Sequence, residues 1–134
     1  MTNSDFRVLI APDSFKGTFS AAEVAKAISA GVLAAGGEAD LCPLADGGEG
    51  TMRTLVSSAG GTIRTVTVQD PLGRGINAGF GLIDEGATAI VEMAEASGMG
   101  LVEPEERDAE AASTFGTGEL LAAAAKTGAG RILV

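Results

Sequence analysis

The sequence of 134 residues contains no histidine and a single cysteine, and these two shortages remove several kinds of site. Without histidine the chain lacks the commonest general base, the usual zinc ligands and every histidine-dependent catalytic triad. Cys42 alone forms neither an internal disulfide nor a thiolate metal cluster, which favours a reducing, cytoplasmic location. Because Cys42 lies in an apolar run, we expect its thiol to be buried and inert.

Several familiar binding and sorting signals are also missing. No GxxxxGK(S/T) segment is present, and no GxGxxG segment follows a strand, so the standard P-loop and the dinucleotide fingerprint are both excluded. No apolar stretch approaches the roughly 20 residues that a membrane-spanning helix needs. The first ten residues do not resemble a signal peptide. We therefore expect neither a membrane partner nor secretion.

Positive charge is scarce, since nine Lys and Arg residues oppose 18 Asp and Glu residues and leave a net charge of −9. No basic run is present, so nucleic acid is not an expected partner. Hydrophobic residues nevertheless make up 46% of the chain, with 20 glycines and no Trp or Tyr. Small aliphatic side chains and many glycines are typical of closely packed layers joined by tight loops.

The first half of the sequence predicts alternating strands and helices. Ser20 and Glu23 have the spacing of a capping box, and the helix that they open is expected to bury a face that includes Ile28. The predicted elements are a strand at residues 7–11 buried on both faces, a helix from residue 20 to Gly36 and Gly37, a strand at residues 39–45 and a helix at residues 51–59. This order predicts an α/β fold, in which ligands bind beyond the carboxyl ends of the strands.

The second half has a different pattern. Residues 62–68 alternate between apolar and polar side chains, as a half-exposed strand does. Residues 76–83 and 87–93 are two further strand candidates, and the short turns between the three predict antiparallel pairing. A helix after residues 113–120 and a strand at residues 131–134 complete the predicted order. Met93 and Met99 are expected in the core, and we place a domain boundary near residue 65.

The stretch "LADGGEGT" at residues 44–51 combines two carboxylates with three glycines. Glycine amides can form a cradle for an anion, while Asp46 and Glu49 can hold Mg²⁺ or accept a hydroxyl proton. Such groups suit phosphoryl transfer, which needs the placement of charge more than covalent chemistry. The alternative is a common Asp-Gly-Gly turn followed by a glutamate at the start of a helix, and this loop alone does not decide between the two interpretations.

The other polar candidates also have simple structural explanations. Lys16 could be a solvated lysine, and Ser14 could belong to a turn after Pro12. Thr114 and Thr117 could be helix-capping residues only. Glu92, inside the apolar segment "AIVEMA", is harder to explain in this way, although alternation along a strand could still turn its carboxylate to solvent.

Taken together, five segments resemble the glycerate kinase family of the bacterial type. They occur in the order of that family across nearly the whole chain, and the first two together are highly specific. The segments are "APDSFKGTFSAAEVAKAI" (residues 11–28), "PLADGGEGT" (residues 43–51), "VQDPLGR" (residues 68–74), "AIVEMAEASGM" (residues 89–99) and "STFGTGELL" (residues 113–121).

The resemblance implies an ATP-dependent kinase that uses Mg²⁺ and phosphorylates D-glycerate at the 2-hydroxyl, with the 3-hydroxyl as the alternative acceptor. We assign Lys16 to an anionic group of substrate or nucleotide, Asp46 to Mg²⁺ or the reacting hydroxyl, and Glu49 to the support of Asp46. These three are the catalytic candidates, and which loop faces ATP stays open. The remaining matched residues are expected to bind substrate or nucleotide: Ser14, Gly47, Gly48, Glu92, Ser97, Thr114 and Thr117.

The resemblance also implies two α/β domains with a cleft between them. Residues 1–65 would begin a Rossmann-like α/β/α domain, and residues 66–134 would begin an inserted α/β domain with antiparallel strands. Members of the family are much longer, so the chain resembles an N-terminal portion that we expect to be inactive alone. Two alternatives to a kinase remain: a non-catalytic module that binds an anionic metabolite, and a structural fragment whose sheet edges pair with another copy or chain.

Overall fold

The computed structural model describes residues 6–15 and 17–134 and shows an α/β protein with parallel and antiparallel strand pairing. The chain divides into two compact units, Met1–Thr54 and Leu55–Val134, and each contains one sheet. The predicted fold class is confirmed at this level. Among the described residues, no helix is both long enough and apolar enough to cross a bilayer.

In the first unit, strands β1 (Arg7–Ile10) and β2 (Glu38–Leu41) pair in parallel and are connected by helix α1 (Ala21–Ala34). The apolar run of β1 buries Ile10, which is 3% exposed, but leaves Leu9 68% exposed. Because neighbouring side chains in a strand point to opposite faces, only one face of β1 is covered. The prediction of a strand buried on both faces is therefore wrong for Leu9.

Backbone pairing continues beyond the ends of these two strands. The Cys42 N–H donates to the Ile10 carbonyl (2.8 Å), and the Leu44 N–H donates to the Pro12 carbonyl (2.9 Å). The two loops that follow β1 and β2 therefore leave the parallel pair side by side at its carboxyl edge, where ligands bind in α/β proteins.

Helix α1 begins and ends as its sequence predicts. The capping box is complete at its start, and at its end the Gly37 N–H donates to the Val32 carbonyl (3.0 Å) across Gly36, whose φ is +85°. The buried face is narrower than predicted, because it consists of small residues spaced four apart, Ala21, Ala25 and Ser29. Ile28 is 45% exposed, so its predicted burial is wrong.

Replacing Ser20 by alanine is expected to lower the free energy of unfolding by about 1 kcal/mol. The Glu23 N–H donates to Ser20 Oγ (3.3 Å), and the Ser20 N–H donates to the Glu23 carboxylate (2.8 Å). Hydrogen bonds from the Ser20 hydroxyl and N–H also lower the pKa of the Glu23 carboxyl. Urea unfolding followed by circular dichroism measures the loss. Glu23→Gln keeps an acceptor and should lose less; unchanged stability in Ser20→Ala would show that the capping box contributes nothing.

Helix α2 (Thr51–Ala59) has the predicted bounds and continues from the first unit into the second. Its buried side chains, Met52 and Val56, lie one turn apart and are 0% and 6% exposed. Gly60 has a φ of +65°, and the Gly61 N–H donates to the Val56 carbonyl (2.8 Å). The helix thus ends at the glycine pair because a left-handed residue is needed there.

The second unit contains a four-stranded mixed sheet in the order β3, β4, β5, β6. The strands are β3 (Thr62–Gln69), β4 (Gly75–Ile83), β5 (Thr88–Ile90) and β6 (Arg131–Leu133). The first three pair antiparallel, which confirms the prediction from the short turns. Strand β6 pairs in parallel with β5, and the sequence did not predict this partner.

The core of the second unit lies between this sheet and the two helices α3 (Ala94–Ser97) and α4 (Phe115–Ala125). Among its fully buried side chains, Phe80, Leu120 and Val91 are the largest. The cluster consists of Val68, Ala78, Phe80, Leu82, Ala89, Val91, Ala96, Leu120 and Ala124. Helix α4 is thereby packed on the sheet, and this packing sets the position of its first turn.

Three burial predictions are wrong. Met93 and Met99 are 54% and 76% exposed, and Cys42 is exposed as well. Strand β5 ends at Ile90 rather than at Met93, after which the chain turns into α3 and a single 3₁₀ turn at Met99–Leu101. Cys42 likewise follows the last residue of β2. For Met93 and Cys42 the apolar run extends further than the strand, and Met99 begins the 3₁₀ turn after α3, so strand alternation does not decide their burial.

Candidate functional site

The predicted site residues fall into two groups, one in each compact unit. Lys16 lies outside the described residues, so the structure places nine of the ten. The first unit holds Ser14, Asp46, Gly47, Gly48 and Glu49, and the second holds Glu92, Ser97, Thr114 and Thr117.

The loop that carries Asp46 is organised by that side chain. Asp46 Oδ1 accepts a hydrogen bond from the Gly48 N–H (2.8 Å), which is the arrangement of an Asx turn. Gly47 and Gly50 both have a φ of +93°, a conformation that side chains rarely adopt. The Thr51 N–H then donates to the Gly48 carbonyl (3.2 Å) and joins the loop to α2. The glycines are therefore needed for a tight turn that fixes one oxygen of the Asp46 carboxylate.

The carboxylates of this loop are open to solvent. Asp46 and Glu49 are both exposed, whereas Ser14, on the neighbouring loop, is half-buried. The backbone bond between Leu44 and Pro12 holds the two loops together at the carboxyl edge of the strand pair. The structure therefore confirms that the two unusual loops are neighbours, and it presents acidic side chains where a ligand can reach them.

Thr51 is a further candidate site residue that sequence reasoning did not single out. Its Oγ1 is buried, and among the described residues it has no hydrogen-bond partner. A buried hydroxyl without a partner is costly unless a ligand or water satisfies it. Thr51 is the first residue of α2 and directly follows the glycine loop. The signal for it was its position at the end of "DGGEGT".

The oxygen donors of this loop fit a Mg²⁺ ion that takes only a few of its ligands from the protein. Within the described residues no three His, Cys, Asp or Glu side chains cluster as metal ligands do. Mg²⁺ at phosphate-transfer sites usually takes only one or two carboxylates and completes its shell with phosphate oxygens and water. The exposed Asp46 carboxylate is an oxygen donor of that kind.

In the second unit the structure brings together two of the four predicted residues. Ser97 Oγ and Thr117 Oγ1 are hydrogen-bonded at 2.7 Å. Ser97 is the last residue of α3, and Thr117 lies in the first turn of α4. Thr117 is 7% exposed and Ser97 is half-buried. The pair places two hydroxyls beside a helix N-terminus, where backbone amides favour an anion.

The capping explanation for the two threonines is not supported. Thr114 occupies the N-cap position of α4, but its side chain makes no capping hydrogen bond. Ser113 performs that function, because its Oγ accepts from the Phe115 N–H (3.1 Å). The Thr117 hydroxyl bonds to Ser97 instead of to the helix backbone. Helix capping therefore accounts for neither hydroxyl.

Two glutamates follow β5, and both are shielded. Glu92 is 7% exposed, so the alternative that its carboxylate faces solvent is wrong. Glu95, which sequence reasoning did not single out, is half-buried and accepts a hydrogen bond from the Gly79 N–H (3.0 Å). Glu95 thereby joins α3 to the middle of β4.

The turn "DPLGR" contains a buried carboxylate that the sequence analysis treated only as part of a turn. Asp70 is 2% exposed, and its Oδ1 accepts from the Leu72 and Arg74 N–H groups, both at 2.8 Å. Its Oδ2 pairs with the Arg74 guanidinium. Burial opposes ionisation of Asp70, but the hydrogen bonds and the charge of Arg74 outweigh it, so the pKa of the Asp70 carboxyl is lowered. Asp before Pro signals the turn but not this burial.

Comparison with known proteins gives a consistent result. The model of the glycerate kinase family matches residues 8–134. Glycerate kinase of Bacillus subtilis (strain 168) is 45% identical over 130 residues, which are 96% of this chain and 34% of that protein. Glycerate 2-kinase of Escherichia coli (strain K12) is 42% identical over 130 residues, with the same two shares. A solved structure from Salmonella typhimurium LT2, described as a candidate glycerate kinase 2, has a TM-score of 0.78 at 42% identity and covers 95% of this chain and 35% of that one.

The chain spans about a third of the length of these relatives. All five segments on which the resemblance was based lie within the residues that the family model matches. The match extends over both compact units and includes both groups of candidate site residues. The chain therefore belongs to the glycerate kinase family.

Proposed function

We propose that the full-length protein is a glycerate kinase that transfers the γ-phosphoryl group of ATP to the 2-hydroxyl of D-glycerate. The observation that carries this proposal is the match of residues 8–134 to a family whose relatives from B. subtilis and E. coli are named glycerate kinase and glycerate 2-kinase. The choice of the 2-hydroxyl follows the second of these names. Phosphoryl transfer depends on positioned charge, which the carboxylates of the loop at residues 44–51 can supply.

In the first unit, Asp46 has the central role in this proposal. Its carboxylate accepts the proton of the reacting hydroxyl or ligates Mg²⁺, and Gly48 holds it in place through one oxygen. Glu49 adds negative charge beside it, and the Thr51 hydroxyl is a second oxygen donor. When bound, Mg²⁺ neutralises phosphate charge. The acidic loop would thus handle the metal and the acceptor hydroxyl together.

The anionic part of a ligand needs hydrogen-bond donors from the protein. The Gly47 amide and the Ser14 side chain lie on the two adjoining loops and are assigned to it. The Gly48 amide is already bonded to Asp46, so Gly48 contributes by orienting the carboxylate. Lys16 stays assigned to an anionic group of substrate or nucleotide as a prediction from the sequence.

In the second unit, the hydroxyls of Ser97, Thr114 and Thr117 are assigned to an anionic group of substrate or nucleotide. This assignment is supported by the 2.7 Å hydrogen bond between Ser97 and Thr117 at the start of α4. It is also supported by the side chain of Thr114, which is exposed and does not cap the helix. Glu92 is assigned to the same site, and its burial next to β5 suits a held carboxylate rather than a surface one.

The larger architecture remains part of the proposal. A Rossmann-like domain begun by residues 1–65 is supported by the parallel pair of β1 and β2 with its connecting helix, and an inserted domain begun by residues 66–134 by the antiparallel strands. The cytoplasmic location and the assembly of more than one copy remain predictions from the sequence.

The test is a direct assay of the full-length protein with ATP, MgCl₂ and D-glycerate, followed by ³¹P nuclear magnetic resonance. We expect 2-phosphoglycerate and ADP from the full-length protein, and no product from the 134-residue chain alone. A signal of 3-phosphoglycerate would correct the acceptor hydroxyl. Failure of the full-length protein to phosphorylate D-glycerate, with turnover of another hydroxy acid, would overturn the substrate assignment.

A further inference from the structure

We infer that Asp70 and Arg74 position the Ser97–Thr117 hydroxyl pair for ligand binding, although neither residue touches the ligand. The inference rests on the proposed function, because it concerns the site in the second unit. Asp70 and Arg74 lie in the turn between β3 and β4, outside the set of candidate site residues. Their importance follows from what this turn contacts.

Several hydrogen bonds hold Asp70 and Arg74 together. Asp70 accepts two backbone N–H groups of its own turn and one guanidinium, while the Asp70 N–H donates to the Arg74 carbonyl (2.7 Å). A buried carboxylate satisfied in this way is rigid, because loss of any partner would leave a polar group unpaired in a place that water does not reach. The turn therefore has a fixed conformation.

The start of α4 is held by three contacts, one to Pro71 in this turn and two to Gln69, the last residue of β3. The Ser113 N–H donates to the Pro71 carbonyl (2.9 Å), and the Gln69 N–H donates to the Glu119 carboxylate (2.7 Å). Between these two contacts, Gly116 lies so close to the Gln69 carbonyl that a Cβ would overlap with it. Thr117 follows Gly116 directly, so its position is set by the end of β3 and the turn that begins there.

Arg74 also holds the segment that connects α3 to α4. Its Nη1 donates to the Glu106 carboxylate (2.9 Å), and its Nη2 donates to the Leu101 carbonyl (3.1 Å). Leu101 lies four residues after Ser97, and Glu106 lies further along the same connection. One guanidinium thus links the turn to the segment that follows Ser97, while Gln69 and Pro71, on either side of Asp70, hold the start of α4 and with it Thr117. Both hydroxyls are thereby connected to Asp70 and Arg74 through neighbouring segments.

The test is a double-mutant cycle in the full-length protein with Asp70→Asn and Thr117→Val. Asparagine keeps an acceptor for the two N–H groups but removes the charge that holds Arg74. Valine keeps the shape of Thr117 and removes its hydroxyl. We expect each single variant to raise about tenfold the KM for the same one of the two substrates, ATP or D-glycerate. The double variant should show no further increase, since both changes act through one contact. Thermal unfolding of each variant measures stability separately.

Asp40→Asn is the matched control. Asp40 forms an ion pair with Arg7 at 2.7 Å, as Asp70 does with Arg74, but this pair is exposed and joins only β1 and β2. We expect an unchanged KM in Asp40→Asn. If Asp70→Asn does not fold, Arg74→Lys takes its place in the cycle, because lysine keeps the charge but cannot reach Asp70, Glu106 and Leu101 together.

The outcomes separate the two proposals. Wild-type turnover of D-glycerate tests the proposed function independently of any variant. If Thr117→Val raises a KM but the Asp70 or Arg74 variant changes only stability, or multiplies the effect of Thr117→Val, the positioning role is overturned. An unchanged KM in Thr117→Val would overturn it as well, and would also remove Thr117 from the proposed binding site while leaving kinase activity established.

Discussion

Asp46→Asn in the full-length protein is expected to lower kcat at least about 100-fold without unfolding the loop. Asparagine can still accept the Gly48 N–H that now bonds to Asp46 Oδ1 at 2.8 Å, so the Asx turn is retained. What is lost is the negative charge, on which both proposed tasks of Asp46 depend. Steady-state assays with ATP and D-glycerate measure the effect.

Asp108→Asn provides a control with nearly the same geometry. Asp108 is exposed, and its Oδ1 accepts from the N–H two residues later, that of Glu110, at 2.9 Å. It is not among the candidate site residues, so we expect kcat to be unchanged in Asp108→Asn. Normal turnover in Asp46→Asn would contradict the proposal and would reduce the glycine loop to a structural turn.

Gly116→Ala is expected to lower the free energy of unfolding by about 3 kcal/mol, the largest effect on stability that we predict. A Cβ at this position would overlap with the backbone carbonyl of Gln69, which cannot move away as the end of a flexible side chain can. To relieve the overlap, α4 must move away from the end of β3. This movement strains the hydrogen bond between the Gln69 N–H and the Glu119 carboxylate. Urea unfolding measures the loss.

Gly118→Ala tests the same helix without the overlap. A Cβ on Gly118 meets no described atom within 4 Å, and the residue is exposed. Because alanine is a better helix former than glycine, we expect this variant to gain up to about 1 kcal/mol. Equal stabilities of the two variants would show that the start of α4 is not held against β3, and would also weaken the positioning role of the turn.

Much of the secondary structure could be predicted from the sequence because its signals are local. The capping box at Ser20 and Glu23, and the left-handed glycines Gly36 and Gly60, act through hydrogen bonds between residues a few positions apart. The bounds of α2 were predicted correctly for this reason. The acidic glycine loop after β2 was also recognisable, since its residue types are unusual in one short stretch.

The candidate site was only partly predictable. The contact between Ser97 and Thr117 joins residues 20 positions apart, and the unpaired hydroxyl of Thr51 becomes visible only when its surroundings are known. The predicted roles of Asp46 and Glu49 follow from residue type, and they remain proposals that only ligand binding can test. Residue type names the chemistry that is available, whereas position decides which groups act together.

The sequence by itself determined most of the order of strands, helices and glycine turns, and the excess of acidic over basic residues in this chain. Only the tertiary structure decided that β6 pairs with β5, that Met93 and Met99 are exposed, and that Asp70 is buried with Arg74. Burial and long-range pairing depend on which distant segments cover a residue, and no pattern within a few positions contains that information. Local hydrogen bonding is encoded next to the residues that it shapes, whereas packing is a property of the whole chain.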